Sequence, residues 1–315
     1  MRSILSTLAL ALFAASPALA QQTSDPRTQA QEILKRARAV IWDETKSKPL
    51  QSISINAIRR FARGERQVEV DMTLEALLPD KFLQTDTYTL SVGSDFTSIR
   101  AINGSQALSN FESNMEALVD MKKSMARANG STETGGDKGI SGKKMGGGLG
   151  AKLGELGGIG GAGSGSADQS NQESHIREGF ARLLLVWLGA TPSSLPVEFT
   201  YGGQAIAQVG AKSADVIDVT GPGNFAARLF INPQTHQVMM LTYKARKPGK
   251  QPQESQAPES EAESRWVLSD YRNVGGLNLP HQLVIFLDGR PVEEVSVKKV
   301  KINPSIKPDR FEKKK

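Results

Sequence analysis

The spacing of apolar positions changes along the chain. Ala30, Ile33, Leu34, Ala37, Val40 and Ile41 recur at helical intervals behind Thr28 and Gln31, a capping-box pair, and Pro49 closes the region. Beyond it the period falls to two. Val68, Val70, Met72 and Leu74 alternate with Gln67, Glu69, Asp71 and Thr73, as in a strand with one dry face and one wet face. Ile53 and Ile55, then Tyr88, Leu90 and Val92, repeat the alternation, and Asn103-Gly104 offers a tight turn. The first block therefore reads as a helix followed by about four antiparallel strands.

A second helix is expected through Leu108, Phe111, Met115, Leu118 and Met125. A third is expected over 174–188, where Ile176, Phe180, Leu183, Leu184 and Trp187 form a wide apolar stripe. Between them residues 130–165 hold 16 Gly in 36 positions, mixed with Ser, Lys and Asp. So little apolar surface cannot offset ordering entropy, which predicts a disordered linker. From Val197 onward strand patterns follow one another, punctuated by Gly221-Pro222-Gly223-Asn224, Asn232-Pro233 and Asp288-Gly289. The stretch 246–263, with Pro248, Pro252 and Pro258, reads as a solvated hairpin extension.

About eleven strands without intervening helices imply an antiparallel meander. Several late strands are apolar on both faces: Leu229 and Ile231 flank Phe230, and Met240 lies between Met239 and Leu241. One dry face is enough for an antiparallel sheet, so the second needs a cover, and the helical stripes can supply it. The predicted fold is mainly β with helices (α+β): a curved antiparallel open half-barrel with a helical plug or lid. The predicted organisation is a signal peptide at 1–20, a helix, strands and first lid helix at 21–127, the linker at 128–170, and the second lid helix with the remaining strands of the same domain at 171–315.

The first twenty residues stand apart. Arg2, the apolar run 4–15 and Pro17-Ala18-Leu19-Ala20 form a secretory signal pattern cleaved after Ala20, with a run too short to span a bilayer. A periplasmic protein is expected. Composition narrows the chemistry. There is no Cys, which removes disulfides and thiolate chemistry, and three His at 175, 236 and 281 share no ligand spacing. Gly158, Gly160 and Gly163 match G-x-G-x-x-G but neither follow a strand nor open a helix, and no G-x-S-x-G or G-K-[ST] occurs. No catalytic centre, metal or cofactor is expected.

Met145, Leu149, Leu153, Leu156 and Ile159 fall at helical spacing beside lysines, but nine Gly between 145 and 161 oppose a helix at about 1 kcal/mol each. A tether fits better than a membrane-binding helix. The formal charge is +6, with excess lysine at 298, 299, 301 and 313–315, a solubilising edge that also suits an anionic membrane surface. Only 18 aromatic residues in an exported chain argue against nucleic acid.

The run Ser269-Asp270-Tyr271-Arg272-Asn273-Val274-Gly275-Gly276-Leu277-Asn278-Leu279-Pro280-His281 resembles a segment of outer-membrane lipoprotein-sorting proteins of the LolA/LolB-like kind. Val300-Lys301-Ile302-Asn303-Pro304, followed by Ile306, Pro308 and Phe311, resembles their closing segment. The resemblance implies an unclosed half-barrel with a helical lid over an apolar cavity, where that family binds acyl chains. The expected function is a non-catalytic periplasmic carrier for a lipid or lipoprotein acyl chain. Its expected lining is Phe180, Leu184 and Trp187 from a lid helix, with Met72, Leu74, Phe230 and Met240 from the sheet. The alternative is an envelope protein-interaction or stress-sensing module of the same fold, gripping a protein partner without lipid transfer.

Overall fold

A computed structural model describes residues 25–43, 48–63, 66–91, 94–113, 166–207, 212–246 and 261–312. The expected signal peptide, the glycine-rich tract up to residue 165 and the loop 247–260 lie outside the described residues. Helix α1 spans Pro26–Ile41. Its N-cap is Asp25, whose carboxylate accepts from the Thr28 amide at 3.2 Å, so the expected Thr28–Gln31 box lies inside the helix. Pro26 explains the earlier start, because its fixed φ and missing N–H suit the first helical position.

Among the described residues twelve strands form one antiparallel sheet. They are β1 Ser52–Arg63, β2 Arg66–Leu77, β3 Lys81–Ser91, β4 Ser94–Asn103, β5 Gln106–Ser113, β6 Glu198–Ala207, β7 Lys212–Thr220, β8 Ala226–Ile231, β9 Val238–Arg246, β10 Glu261–Val274, β11 Leu277–Leu287 and β12 Arg290–Ile302. The spatial order is β5-β4-β3-β2-β1-β12-β11-β10-β9-β8-β7-β6. Two meanders are therefore joined where β1 pairs with β12, from Ile53↔Ile302 to Phe61↔Glu293. The end strands β5 and β6 do not pair with each other, which leaves the sheet open.

One expected helix is corrected. Gly104, at φ +59°, turns the chain back onto β4, and Ala107 pairs with Ile102 and Phe111 with Ser98. Residues 106–113 are thus strand β5, which raises the strand count above the expected eleven. Phe111 stacks on Phe96 of β4 at 5.6 Å between centroids. Met115, Leu118 and Met125 lie outside the described residues. Helix α2 spans Ser166–Leu188 and begins eight residues before the expected start, so it takes the last five positions assigned to the linker. At its end Gly189 adopts φ +62°, its amide still bonded to the Leu185 carbonyl, while its own carbonyl accepts from Arg38 Nε at 2.8 Å.

Both helices share one apolar cluster with a single face of the sheet. The motif residues near the C-terminus hold this frame. Asn303, at φ +50°, accepts from the Gln51 and Ser52 amides at 2.8 and 3.2 Å and donates to the Pro49 carbonyl at 3.1 Å, locking the β1–β12 seam. The Tyr271 hydroxyl donates to the Val238 carbonyl, and the Gly276 amide donates to Asn273 Oδ1 at 3.1 Å in the β10–β11 turn.

A smaller cluster lies elsewhere on the sheet. Phe311, fully buried in the 3-10 turn Pro308–Phe311, packs with Leu83 and Ala101. These two are one residue out of phase with Phe82 and Ile102 of the main cluster, which places them on the opposite face. Phe311→Ala is expected to cost about 3 kcal/mol in chemical denaturation. It should leave the helix-bearing face unchanged.

Candidate functional site

Register alone assembles the helix-bearing face. Ile53, Ile55, Ala57 and Arg59 alternate along β1, and β2 sets Ala76, Leu74, Met72 and Val70 opposite them. β3 continues this face with Phe82, Gln84, Asp86 and Tyr88, and β4 with Ile102, Arg100, Ser98 and Phe96. On the other flank Val295 and Val297 of β12 lead to Leu283 and Ile285 of β11 and on to Leu268 and Trp266 of β10. Against this surface α2 buries Phe180, Leu183, Leu184 and Trp187, and the Phe180 and Phe82 rings stand 6.0 Å apart.

Four charges sit on this dry face. Arg59 is 1 % exposed and Asp86 is 1 % exposed. The guanidinium of Arg59 donates through Nε and Nη2 to the two carboxylate oxygens of Glu293 at 2.8 and 2.9 Å, and through Nη1 to Asp86 at 2.8 Å. Arg100 donates to the same Asp86 oxygen at 2.7 Å, and the Gln84 amide donates to Asp86 at 3.0 Å. In the described contacts two cations thus meet two anions.

Burial alone would lower the Arg59 pKa, but the carboxylates of Glu293 and Asp86 outweigh it and hold the guanidinium well above its ordinary range. Burial likewise raises the Asp86 carboxyl, and the cations of Arg59 and Arg100 with the Gln84 amide reverse that, leaving its pKa below the usual carboxylate value of 3.8. A depressed folded-state pKa adds stability that is present above the unfolded value and lost as pH falls through the folded one. Thermal melts should therefore show Asp86→Asn well below wild type at pH 7. The gap should narrow below about pH 4, because the protonated wild-type Asp86 then resembles the amide.

Beside this cluster, under α2, is a small cavity of about 10 Å³, room for a single water-sized occupant. Leu183, Met72, Leu283, Ile285 and Val295 form its apolar walls. Arg59, Gln84, Glu293 and Trp266 supply the rest. Trp266 is 1 % exposed, and its indole N–H meets no acceptor among the described residues. The Tyr243 ring and the indole stand at 80° to each other with centroids 6.0 Å apart, and Arg182 of α2 lies over Tyr243 at 4.0 Å and over Phe225 at 5.1 Å.

Of the expected lining residues, Phe180, Leu184, Trp187, Met72 and Leu74 are buried together in the main cluster. Phe230 and Met240 are not among them. They pair with each other across β8 and β9, one residue out of phase with Leu229 and Leu241, and so lie on the opposite face of the sheet. Both neighbours of each are apolar, so alternation in the sequence could not select the face. The charged floor was missed, although it leaves a trace: Arg59 stands at the dry parity after Ile53, Ile55 and Ala57.

No family model matches the chain, and no curated protein does. Similar solved structures, at low sequence identity, include DUF1329 and LolA-superfamily proteins. A DUF1329 family protein from Desulfovibrio piger is 9 % identical, with 92 % of this chain and 98 % of that one covered at a TM-score of 0.46. A candidate outer membrane lipoprotein-sorting protein domain from Vibrio parahaemolyticus is 10 % identical over 90 % of this chain and 97 % of its own, also at 0.46. A LolA superfamily protein from Nitrosomonas europaea gives the same identity, coverage and score.

Proposed function

We propose that this chain is a non-catalytic periplasmic carrier that shelters the acyl chain of a lipid or lipoprotein between α2 and the sheet, curved as a half-barrel beneath it. One observation carries the reading: α2 and the sheet share one apolar cluster that includes Phe180, Leu184, Trp187, Met72 and Leu74. Such contact is non-directional, so an alkyl chain can replace it without leaving polar groups unpaired. The described cavity under α2 is only about 10 Å³ in this form, so entry requires α2 to lift. The magnitudes permit the exchange. Four α2 side chains of this size contribute roughly 6–12 kcal/mol by burial, and a sixteen-carbon chain at ~0.8 kcal/mol per CH₂ supplies a similar amount.

Delipidated protein is expected to take up a fluorescent fatty acid in one-to-one ratio, with quenching of tryptophan emission from Trp187 and Trp266. Absence of saturable uptake would remove the carrier reading. The small size of the described cavity favours a second reading, an envelope interaction module that grips a protein partner with a permanently packed core. That reading predicts no uptake and a discrete partner on periplasmic cross-linking.

A further inference from the structure

Cations on several strands meet carboxylates: Arg60 with Glu69 at 2.8 Å, Arg228 with Asp218 at 2.7 Å and Lys244 with Glu261 at 2.8 Å. The last stretch of β12 departs from this. Lys298, Lys299 and Lys301 are exposed and form no ion pair among the described residues. Sheet register fixes where they stand. Lys299 pairs with Asn56 and Lys301 with Ser54, one residue out of phase with Ile53 and Ile55 of the cluster that α2 shares. These two lysines therefore belong to the face opposite α2. Lys298 is the residue that the bulge leaves without a partner on β1. Lys307, also exposed and without an ion pair among the described residues, precedes the 3-10 turn whose Phe311 packs on that same opposite face.

The neighbours do not cancel this charge. Across the seam Asn56 and Ser54 are uncharged, and Glu75, next in the Ser54 row, already accepts from Arg310 at 3.0 Å. Asp309 and Glu312, around the closing turn, pair with none of these lysines in the described contacts.

We propose that this lysine strip is a docking surface for a bilayer with anionic headgroups, and that the protein sits there with α2 turned away from the membrane. The residue types favour lipid over a protein partner. Specific protein interfaces are depleted in Lys and enriched in Arg and aromatic anchors, and the rows through Lys299 and Lys301 carry no ring at Asn56, Thr73, Ser54 or Glu75. An ammonium is a point charge, so it can follow headgroups that move laterally and needs no fixed two-pronged geometry. Each such cation near an anionic leaflet adds its own attraction. The proposal does not rest on the carrier reading, and docking of this kind leaves the helix-bearing face open to solvent.

The test is sedimentation of the full chain with two kinds of vesicle, phosphatidylglycerol mixed with phosphatidylcholine, and phosphatidylcholine alone. Comparing them cancels any binding that ignores the headgroup. Wild type is expected to bind the anionic vesicles selectively at low salt and to lose that preference at high salt, where the surface field is screened. Changing Lys298, Lys299 and Lys301 together to Gln should weaken binding to the anionic vesicles about 100-fold. Changing the same three to Arg keeps the charge and should retain the binding. A control variant, Lys35→Gln with Arg36→Gln and Arg290→Gln, removes equal charge from exposed positions elsewhere and should stay close to wild type. Equal binding to both vesicles, the result expected if an acidic protein were the occupant, would overturn the proposal. So would a control that weakens as much as the β12 variant, since net charge alone would then account for the attraction. Fatty-acid uptake by the β12 Gln variant should match wild type, which keeps this outcome separate from that of the carrier reading.

Discussion

Arg59→Ala is expected to lower the unfolding free energy by about 3–5 kcal/mol at pH 7. The cause is not the loss of attraction alone. Arg59 is the only guanidinium that reaches both carboxylate oxygens of Glu293 in the described contacts, and it shares Asp86 with Arg100. Removing it leaves Glu293, 7 % exposed, beside Ile285, Val295 and Trp266 with its charge uncompensated. Arg59→Lys should recover only part of the loss. An ammonium is a point donor and cannot span two carboxylates with the three donor directions that Arg59 uses. Denaturant titration checks both variants, with an unchanged slope showing that the folded state has kept its extent.

Leu183→Ala is expected to move stability and ligand affinity in opposite directions. Leu183 is 5 % exposed, part of the main cluster, and a wall of the cavity. Cutting it back should cost about 2–4 kcal/mol in unfolding, through lost burial and an enlarged void. The same change weakens the docking of α2 on the sheet. If acyl binding requires α2 to lift, the free-energy cost of the open form falls by a similar amount, and the apparent affinity rises on the order of ten-fold or more. A pre-formed, rigid site would instead lose affinity together with stability. Calorimetric binding of a palmitoyl ligand, read beside a denaturation curve, separates the two.

The fold was largely legible because period-two alternation marks many of the strands and the order of elements has no crossovers except the β1–β12 seam. That seam joins residues some 250 positions apart, and no local pattern announces it. The Asn303 motif is its only trace, since a residue at positive φ that ties Pro49, Gln51 and Ser52 makes sense only beside β1. Residues 106–113 were misread because Leu108 and Phe111 satisfy a three-residue spacing as well as a strand does, and only pairing with β4 decides between them. The burial of Phe180, Leu184, Trp187, Met72 and Leu74 in one cluster followed from periodicity, whereas the face of Phe230 and Met240 could not be read where both strand faces are apolar. The charge cluster draws Arg59, Asp86, Arg100 and Glu293 from four strands, so only the sheet register brings it together.

Native mass spectrometry of the protein purified gently from its own cells tests the central proposal most directly. The account predicts a fraction carrying one acylated molecule, which is lost after delipidation and regained on adding a palmitoyl ligand. A single bare mass before and after that addition would contradict it.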